Sequence, residues 1–243
     1  MKKTPLFIVF LIAVVFAVFR AVKIETDAGI LDMIYWFTVI AATLFAAIRA
    51  FAGAVKLKDR GALFTGALGL GILAISAVYY CVYTFIAAGT EYSLNISDFS
   101  DACSYLFFLA VLAVLLLPAV KLKSVFRIGV NSVSAALILM TIYAIVVNNN
   151  SFLHITVIIT AFICSSLSAY LLIRAQNAPQ LKPARLFACS LIFLGVVDTA
   201  VYTLFLTNAG NGWYQTFAVF YIPAFIWLSE GLLNLRKGER SNG

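Results

Sequence analysis

Eight apolar runs, separated by short polar segments, constrain the fold of this chain more than any other feature of its sequence. A helix needs about 20 mainly apolar residues to cross a bilayer. The runs occupy most of the chain, and the connections between them leave no room for a soluble domain. We therefore predict one integral membrane domain over residues 1–243, an all-α polytopic bundle of eight transmembrane helices. The runs are Pro5–Phe19, Ile30–Ala50, Ala62–Ala88, Ala102–Val120, Ile128–Val147, Phe152–Ile173, Leu186–Leu206 and Trp213–Leu233.

The composition places the chain outside the soluble proteins. Apolar residues make up 63% and charged residues 11% of its 243 residues, whereas soluble domains have about 45–50% and 25%. The net charge of +7 would suit a nucleic-acid partner, but the basic residues form short loops between apolar runs instead of one basic face. We predict a multi-pass protein of the cell membrane with membrane lipid as its partner and no nucleic-acid binding. The oligomeric state is left open.

Basic residues at the ends of the runs predict the orientation. Lys and Arg concentrate in the cytoplasmic loops of membrane proteins. With the N-terminus inside, only Arg20 and Lys23 fall on the outer side, and the pattern alternates loop by loop. Both termini of the eight-helix bundle are therefore predicted to be cytoplasmic. The inner side holds Lys2, Lys3, Arg49, Lys56, Lys58, Arg60, Lys121, Lys123, Arg127, Arg174, Lys182, Arg185, Arg236, Lys237 and Arg240.

The first run has a second interpretation. Met1-Lys2-Lys3 followed by an apolar stretch also resembles a secretory signal peptide. No small-x-small cleavage site follows, and Arg20 interrupts the end of the run. We expect this helix to be uncleaved. Its cleavage would leave the other seven helices in the same orientation.

The cysteines and the single histidine predict neither a metal site nor a cofactor. His154, near the predicted outer start of the sixth helix, has no second histidine to complete a haem or zinc site. The cysteines are scattered singly, without a Cys-x-x-Cys pair, and behave as small apolar residues. They are Cys81, Cys103, Cys164 and Cys189.

Several polar residues are predicted near the outer surface. Asp98 and Asp101, at the start of the fourth helix, suit helix N-cap positions, where carboxylates stabilise the positive end of the helix dipole. A calcium loop is the alternative, but the Asp-x-Asp-x-Asp-Gly spacing is absent. Tyr79, Tyr80 and Tyr83, in the outer third of the third helix, are typical of an interfacial aromatic belt.

Asp198 is the acidic residue that lies in the middle of an apolar run. A carboxylate at that depth costs about 2.5–3.5 kcal/mol on insertion scales, and such residues are often functional. Helical spacing places Asp198 on one face of the seventh helix, where Gly195 would let a neighbouring helix approach closely. The other residues of that face are Leu194, Val201, Tyr202 and Phe205.

The eighth helix supplies the predicted partners of Asp198. Counted along the chain in both directions from the polar turn 208–212, Tyr221 and Pro223 lie at about the same depth as Asp198. Because proline lacks an amide proton, we expect Pro223 to free the carbonyl of Val219. A protonated Asp198 could donate to that carbonyl or to Tyr221 and close a polar gap. Alternatively, Asp198 faces a cavity and acts as a general acid.

Charged residues at the predicted inner boundary form a second candidate group. Glu230 could pair with Arg49 or Arg174. The two arginines could also hold a lipid phosphate, where the headgroup of a lysophospholipid would lie. The alternative is that the arginine side chains only extend from helix ends toward water.

The last two runs carry a resemblance to a known family. Phe193-Leu-Gly-Val-Val-Asp198-Thr-Ala-Val201, followed by Phe220-Tyr-Ile-Pro-Ala-Phe-Ile-Trp-Leu-Ser229, resembles the last two helices of the lysoplasmalogenase-like (YhhN-type) membrane proteins. That family also has eight helices with both ends inside. Its members are associated with hydrolysis of the vinyl-ether bond of lysoplasmalogens, so the resemblance implies a lipid hydrolase. The similarity covers about a fifth of the chain.

Two positions depart from the family pattern. The further aspartate that the family usually carries in its third helix falls at Gly69 in this chain. Its glutamine in the eighth helix is replaced by Ala224 or Phe225. Enol-ether hydrolysis needs a proton donor to carbon and a base for water, so Asp198 alone would leave this pair incomplete.

Three functions follow from these observations. The first is a lysoplasmalogenase-like hydrolase of vinyl-ether lysophospholipids, with Asp198 as the catalytic general acid. The second is a non-catalytic membrane module that binds a lipid, an apolar ligand or the helices of a partner. The third is a small transporter, for which broken helices with ionic pairs at the midplane are expected. The predicted substrate-binding residues are Tyr202, Tyr221, Arg49, Arg174 and Glu230.

Overall fold

The computed structural model describes residues 4–22, 29–55, 61–86, 96–120, 123–147, 149–207 and 213–240. Within these ranges the regular structure is entirely helical, so the predicted all-α class is confirmed. Two short 3₁₀ segments, Leu117–Ala119 and Pro179–Ala184, accompany the α-helices. The α-helices are α1 (Thr4–Val22), α2 (Gly29–Val55), α3 (Gly61–Ile86), α4 (Ile96–Leu116), α5 (Lys123–Val146), α6 (Asn150–Asn177), α7 (Arg185–Leu206), α8 (Trp213–Ala218) and α9 (Tyr221–Arg240).

Helix length and hydropathy support a multi-pass membrane protein. In the described ranges, 7 helical segments are long and apolar enough to cross a membrane. They correspond to α2 through α7 and to the combined α8–α9 segment Thr216–Leu235. Within α1 the described apolar stretch is Phe7–Val18, which is shorter. The total of eight spans and the side of the termini stay predictions.

Six of the segments pack as a closed ring. Helix α3 lies between α2 and α4, and α4 continues the ring to α6. The ring then passes through α7 and α9, and α9 packs back against α2. Helix α1 lies outside it against α8 and α9, and α5 lies outside it against α4 and α6. The buried core is therefore the interior of the ring, and residues that point inward share one enclosed space.

The closest approach of α6 and α7 depends on a glycine. A Cβ atom on Gly195 would collide with the Ser165 hydroxyl and lie 3.2 Å from the Ala161 carbonyl oxygen. The sequence-based expectation that Gly195 admits a neighbouring helix is therefore confirmed. Leu194 and Val201, on the same predicted face, are buried as expected. This packing turns Asp198 toward the interior of the ring.

Two boundaries differ from the predicted runs, and both affect the interior. Helix α4 begins at Ile96, six residues before the apolar run, so polar residues occupy its first turns. The last predicted span is interrupted at residues 219–220, between α8 and α9. The expectation that the Val219 carbonyl is free of a hydrogen bond is wrong, because the Ile222 amide donates to it at 3.4 Å. Pro223 lies in the first turn of α9, where its missing amide proton leaves no gap in the helix.

Candidate functional site

A cavity of about 330 Å³ lies inside the helical ring. Residues from α2, α3, α4, α6, α7, α8 and α9 contribute to its walls. One part of the lining is polar and rich in carboxyl and hydroxyl groups, and the remainder is aromatic or aliphatic. The polar lining residues are Ser76, Ser97, Asp98, Asp101, His154, Asp198, Tyr202 and Tyr221, and the apolar ones include Trp36, Val39, Leu73, Ala77, Tyr80, Val201, Ala218 and Phe225.

Asp198 enters the cavity from α7 and is almost fully buried. The Tyr221 hydroxyl donates to its Oδ1 at 2.6 Å, as the predicted common depth of the two residues implies. The Tyr105 hydroxyl of α4 donates to its Oδ2. Each carboxylate oxygen therefore accepts a hydrogen bond from a phenol, an arrangement that stabilises the ionised form. Donation from Asp198 to the Val219 carbonyl is not observed.

Asp98 and Asp101 reach the same cavity from the first turns of α4. The Tyr202 hydroxyl lies 2.9 Å from Oδ1 of Asp98 and 2.7 Å from Oδ2 of Asp101. Asp98 lies in the first turn of α4, as the predicted position at the start of the fourth helix implies. The sequence did not predict that both acids also face the cavity that Asp198 enters. The longer α4 explains this, because Asp98 becomes part of a helix whose inward face continues to Tyr105.

The two contacts of Tyr202 constrain the protons of the carboxyl pair. A phenol has one proton, so Tyr202 can donate to only one of the two carboxyl groups. The other contact requires a proton on the carboxyl group itself, which then donates to the phenol oxygen. Asp98 and Asp101 therefore share one proton as a pair. Asp198, by contrast, accepts one hydrogen bond from a phenol at each of its oxygens.

His154 is joined to this network from α6. Its Nε2 lies 2.8 Å from Oδ2 of Asp98, and its ring centre lies 5.2 Å from that of Tyr202. The histidine that looks isolated in the sequence therefore has an acidic neighbour 56 residues away along the chain. Among the residues that the structure describes, no group of three His, Cys, Asp or Glu side chains is arranged to hold a metal ion.

Aromatic rings form much of the remaining wall. The Trp36 and Tyr80 rings have their centres 4.3 Å apart, and the Tyr221 and Phe225 rings stack at 5.5 Å. Tyr80 was expected in an interfacial belt, and that prediction is wrong because the residue lines the interior cavity. Asp98 and Asp198 are buried among these walls, where a carboxyl group interacts more strongly with a polar group of a ligand than it would in bulk water.

The structure shows the surroundings of Gly69, Ala224 and Phe225, the positions at which the sequence departs from the family that it resembles. A Cβ atom on Gly69 would lie 2.7 Å from the Phe108 ring, so an aspartate there would have to displace Phe108. In this chain, α4 supplies the additional acids of the cavity instead of α3. Of the two residues at the expected glutamine position, Phe225 lines the cavity and Ala224 is buried.

Three of the predicted substrate-binding residues lie elsewhere. Arg49 of α2 forms an ion pair with the buried Glu230 of α9, one of the two pairings that the sequence predicted. Glu230 is nine residues from Tyr221 along α9, a distance of about 13 Å in a helix. Arg174 is exposed in the last turn of α6. None of the three lines the cavity, so a phosphate held by the arginines would lie at a separate place.

A pattern in the sequence could have revealed the missed acids. Asp98, Asp101 and Tyr105 are spaced by three and four residues, which places them on one face of a helix. The apolar run that begins at Ala102 concealed this pattern, because only its third member lies inside the run. His154 gave no comparable signal, since its partner comes from another helix.

Comparison of the chain with protein-family models, with curated proteins and with solved structures finds no match. Chemical arguments about the cavity therefore depend on its own geometry.

Proposed function

We propose that this chain is a lipid-handling membrane hydrolase that cleaves the vinyl-ether bond of lysophospholipids within the cavity. The observation that carries the proposal is that carboxyl groups from two helices, Asp198 and Asp101, line one cavity with aromatic walls. Enol-ether hydrolysis needs a proton donor to carbon and a base for water, and two carboxyl groups can fill these roles. The resemblance of the last two runs to lysoplasmalogenase-like proteins supports the vinyl-ether bond as the target.

The hydrogen bonds favour different roles for the two acids. Asp198 accepts from two tyrosines, so it suits the role of the base. Asp101 belongs to the pair that holds a proton beside Tyr202, so it suits the role of the proton donor. This assignment differs from the expectation that Asp198 is the general acid. It supplies the second group that enol-ether hydrolysis requires.

The reaction that we propose uses both carboxyl groups twice. Asp101 gives its proton to the double-bond carbon that does not carry the ether oxygen. The carbon beside the ether oxygen then becomes an oxocarbenium centre. Asp198 takes a proton from the water that attacks this centre. The hemiacetal then splits as Asp101 takes its hydroxyl proton and Asp198 returns a proton to the departing ether oxygen. The products are an aldehyde and a glycerol-based alcohol, and both acids recover their starting states.

The proposal includes the membrane topology predicted from the basic residues. We propose eight spans in the cell membrane, with both termini cytoplasmic and with α1 as the first span. The cavity then lies toward the outer half, because Asp98 and His154 are within about one turn of the predicted outer ends of α4 and α6. Reporters fused to each terminus should both be found in the cytoplasm, and an external reporter at either end would contradict this topology.

A non-catalytic binding module is the second candidate function. The observation that favours it is that Asp198 and Asp98 each have two hydrogen-bond partners within the protein. Such satisfied carboxyl groups could shape a polar end for an amphiphilic ligand without transferring a proton. This alternative predicts that a vinyl-ether lysophospholipid and its saturated ether analogue bind equally well and that neither is hydrolysed.

The two functions differ in their response to a single double bond. We expect the purified chain in lipid nanodiscs to hydrolyse a vinyl-ether lysophospholipid and to leave the saturated ether analogue intact, because only the former accepts a proton at carbon. Aldehyde release measures turnover, and retention of labelled lipid measures binding. Binding of both lipids without aldehyde release would overturn the hydrolase proposal and support the binding module.

A further inference from the structure

We propose that His154, Asp98 and Tyr202 form a proton relay that delivers to Asp101, from the predicted outer end of the bundle, the proton that it holds before the first turnover. The relay itself is independent of the reaction in the cavity, and only the use of the delivered proton as a catalytic acid rests on the proposed function. Histidine, carboxyl and phenol groups in hydrogen-bond sequence are the usual components of proton shuttles.

The relay is continuous over three contacts. Nε2 of His154 lies 2.8 Å from Oδ2 of Asp98. The other oxygen of Asp98 lies 2.9 Å from the Tyr202 hydroxyl, which lies 2.7 Å from Asp101. All three distances are those of direct hydrogen bonds. The path therefore crosses from α6 to α4, to α7 and back to α4 without a gap.

The path begins at a partly exposed group and continues through two buried ones. His154 is the fifth residue of α6, about one turn from the helix end, and 15% of its side chain is exposed. Asp98 is the third residue of α4 and is buried. Tyr202 is also buried, on α7. A proton that enters at His154 thus passes through the buried Asp98 and Tyr202 before it reaches Asp101, which is itself partly exposed.

Each transfer conserves protons along the path. In the loaded state, Asp98 carries a proton that it donates to Tyr202, and Tyr202 donates its own proton to Asp101. Movement of both protons by one step leaves Asp101 protonated, Tyr202 neutral and Asp98 ionised. Protonated His154 then passes a proton to Oδ2 of Asp98 and takes a new proton from water. Once Asp101 has given up its proton, a half-turn of the Asp98 carboxyl group and rotation of the Tyr202 hydroxyl toward Asp101 restore the loaded state.

The other titratable groups around the relay have different partners or positions. Tyr105 of α4 and Tyr221 of α9 both donate to Asp198 of α7. Tyr80 of α3 packs its ring on Trp36 of α2 and also lines the cavity. None of the described cavity-lining residues is Lys or Arg. Through the contacts that the structure gives, Asp98 and Tyr202 are thus the groups that connect Asp101 to His154.

The relay can be tested without a substrate. The full chain in nanodiscs is subjected to a rapid pH drop, and the infrared carboxyl band that is missing in Asp101→Asn is followed over time. We expect Tyr202→Phe to slow the protonation of Asp101 by at least about tenfold, below the 10²–10⁴-fold that positioned proton transfer commonly contributes. His154→Gln should slow it similarly, because glutamine can occupy the site but cannot carry a proton.

Tyr143→Phe is the matched control, since it removes a phenol hydroxyl from an exposed residue of α5. Its protonation rate should equal that of the unmodified chain. An unchanged rate in Tyr202→Phe or in His154→Gln would overturn the relay, so the test still decides if only one of the two variants folds well enough to be measured. If the two variants protonate Asp101 slowly while the unmodified chain shows no vinyl-ether turnover, the relay is supported and only the proposed hydrolase function is rejected.

Discussion

Asp198→Asn is expected to lower vinyl-ether turnover by at least about 100-fold, the low end of what a positioned acid or base contributes. An amide cannot take a proton from the attacking water. Its nitrogen is also a donor, so it cannot accept the hydrogen bond that Tyr105 or Tyr221 gives to the carboxylate. Aldehyde release from the vinyl-ether lysophospholipid, with the variant in nanodiscs, measures the effect.

The comparison requires evidence that the variant remains assembled. Binding of the uncleavable saturated ether analogue should stay within a few-fold of the unmodified chain, since the shape of the cavity is retained. Tyr170→Phe, a conservative change on the exposed side of α6, serves as the preparation control and should retain full turnover. If Asp198→Asn binds the analogue and still releases aldehyde at the normal rate, Asp198 is not the base.

Gly231→Ala should destabilise the bundle by about 1–3 kcal/mol, the usual cost of adding atoms to a packed interior. A Cβ atom at this buried position of α9 would lie 2.5 Å from Cα and 2.6 Å from N of Phe187 in α7. Backbone atoms cannot rotate away, so the two helices must separate. The midpoint of thermal unfolding in detergent should fall, and turnover should fall with it because Tyr221 and Asp198 lie on these helices.

Gly129→Ala provides the opposite case. No atom lies within 4 Å of a Cβ atom built on Gly129, which is exposed on α5. Alanine is favoured over glycine in a helix by about 1 kcal/mol, so the unfolding midpoint should rise slightly or stay unchanged. Equal midpoints for the two variants would show that the α7–α9 contact is not tightly packed.

The helices themselves could be predicted with little beyond hydropathy. The run Ala62–Ala88 became α3 (Gly61–Ile86) and Leu186–Leu206 became α7 (Arg185–Leu206) with ends close to those expected. This follows because a helix in a bilayer must satisfy its backbone internally and present apolar side chains. The predicted boundaries were wrong where a helix includes polar residues, as at the start of α4. Those residues are stabilised by partners on other helices, which hydropathy along the chain does not reveal.

The candidate site was predicted in part. Depth counting from residues 208–212 correctly paired Asp198 with Tyr221, because the two residues lie at similar distances along the chain from that segment. It could not pair Asp198 with Tyr105, which lies 93 residues away in sequence. Nor could it show that Asp101 faces the same cavity, because that depends on which helices are neighbours in the ring.

The sequence alone determined that this chain forms apolar helices of membrane length and that one of them carries an acid at mid-depth. Those properties depend on each segment and its surrounding solvent, so local composition is sufficient to specify them. Tertiary structure alone decided that Asp98, Asp101, His154 and Asp198 share one cavity. The order in which α2, α3, α4, α6, α7 and α9 close their ring is set by side-chain packing between distant segments, and hydropathy along the chain does not encode that order.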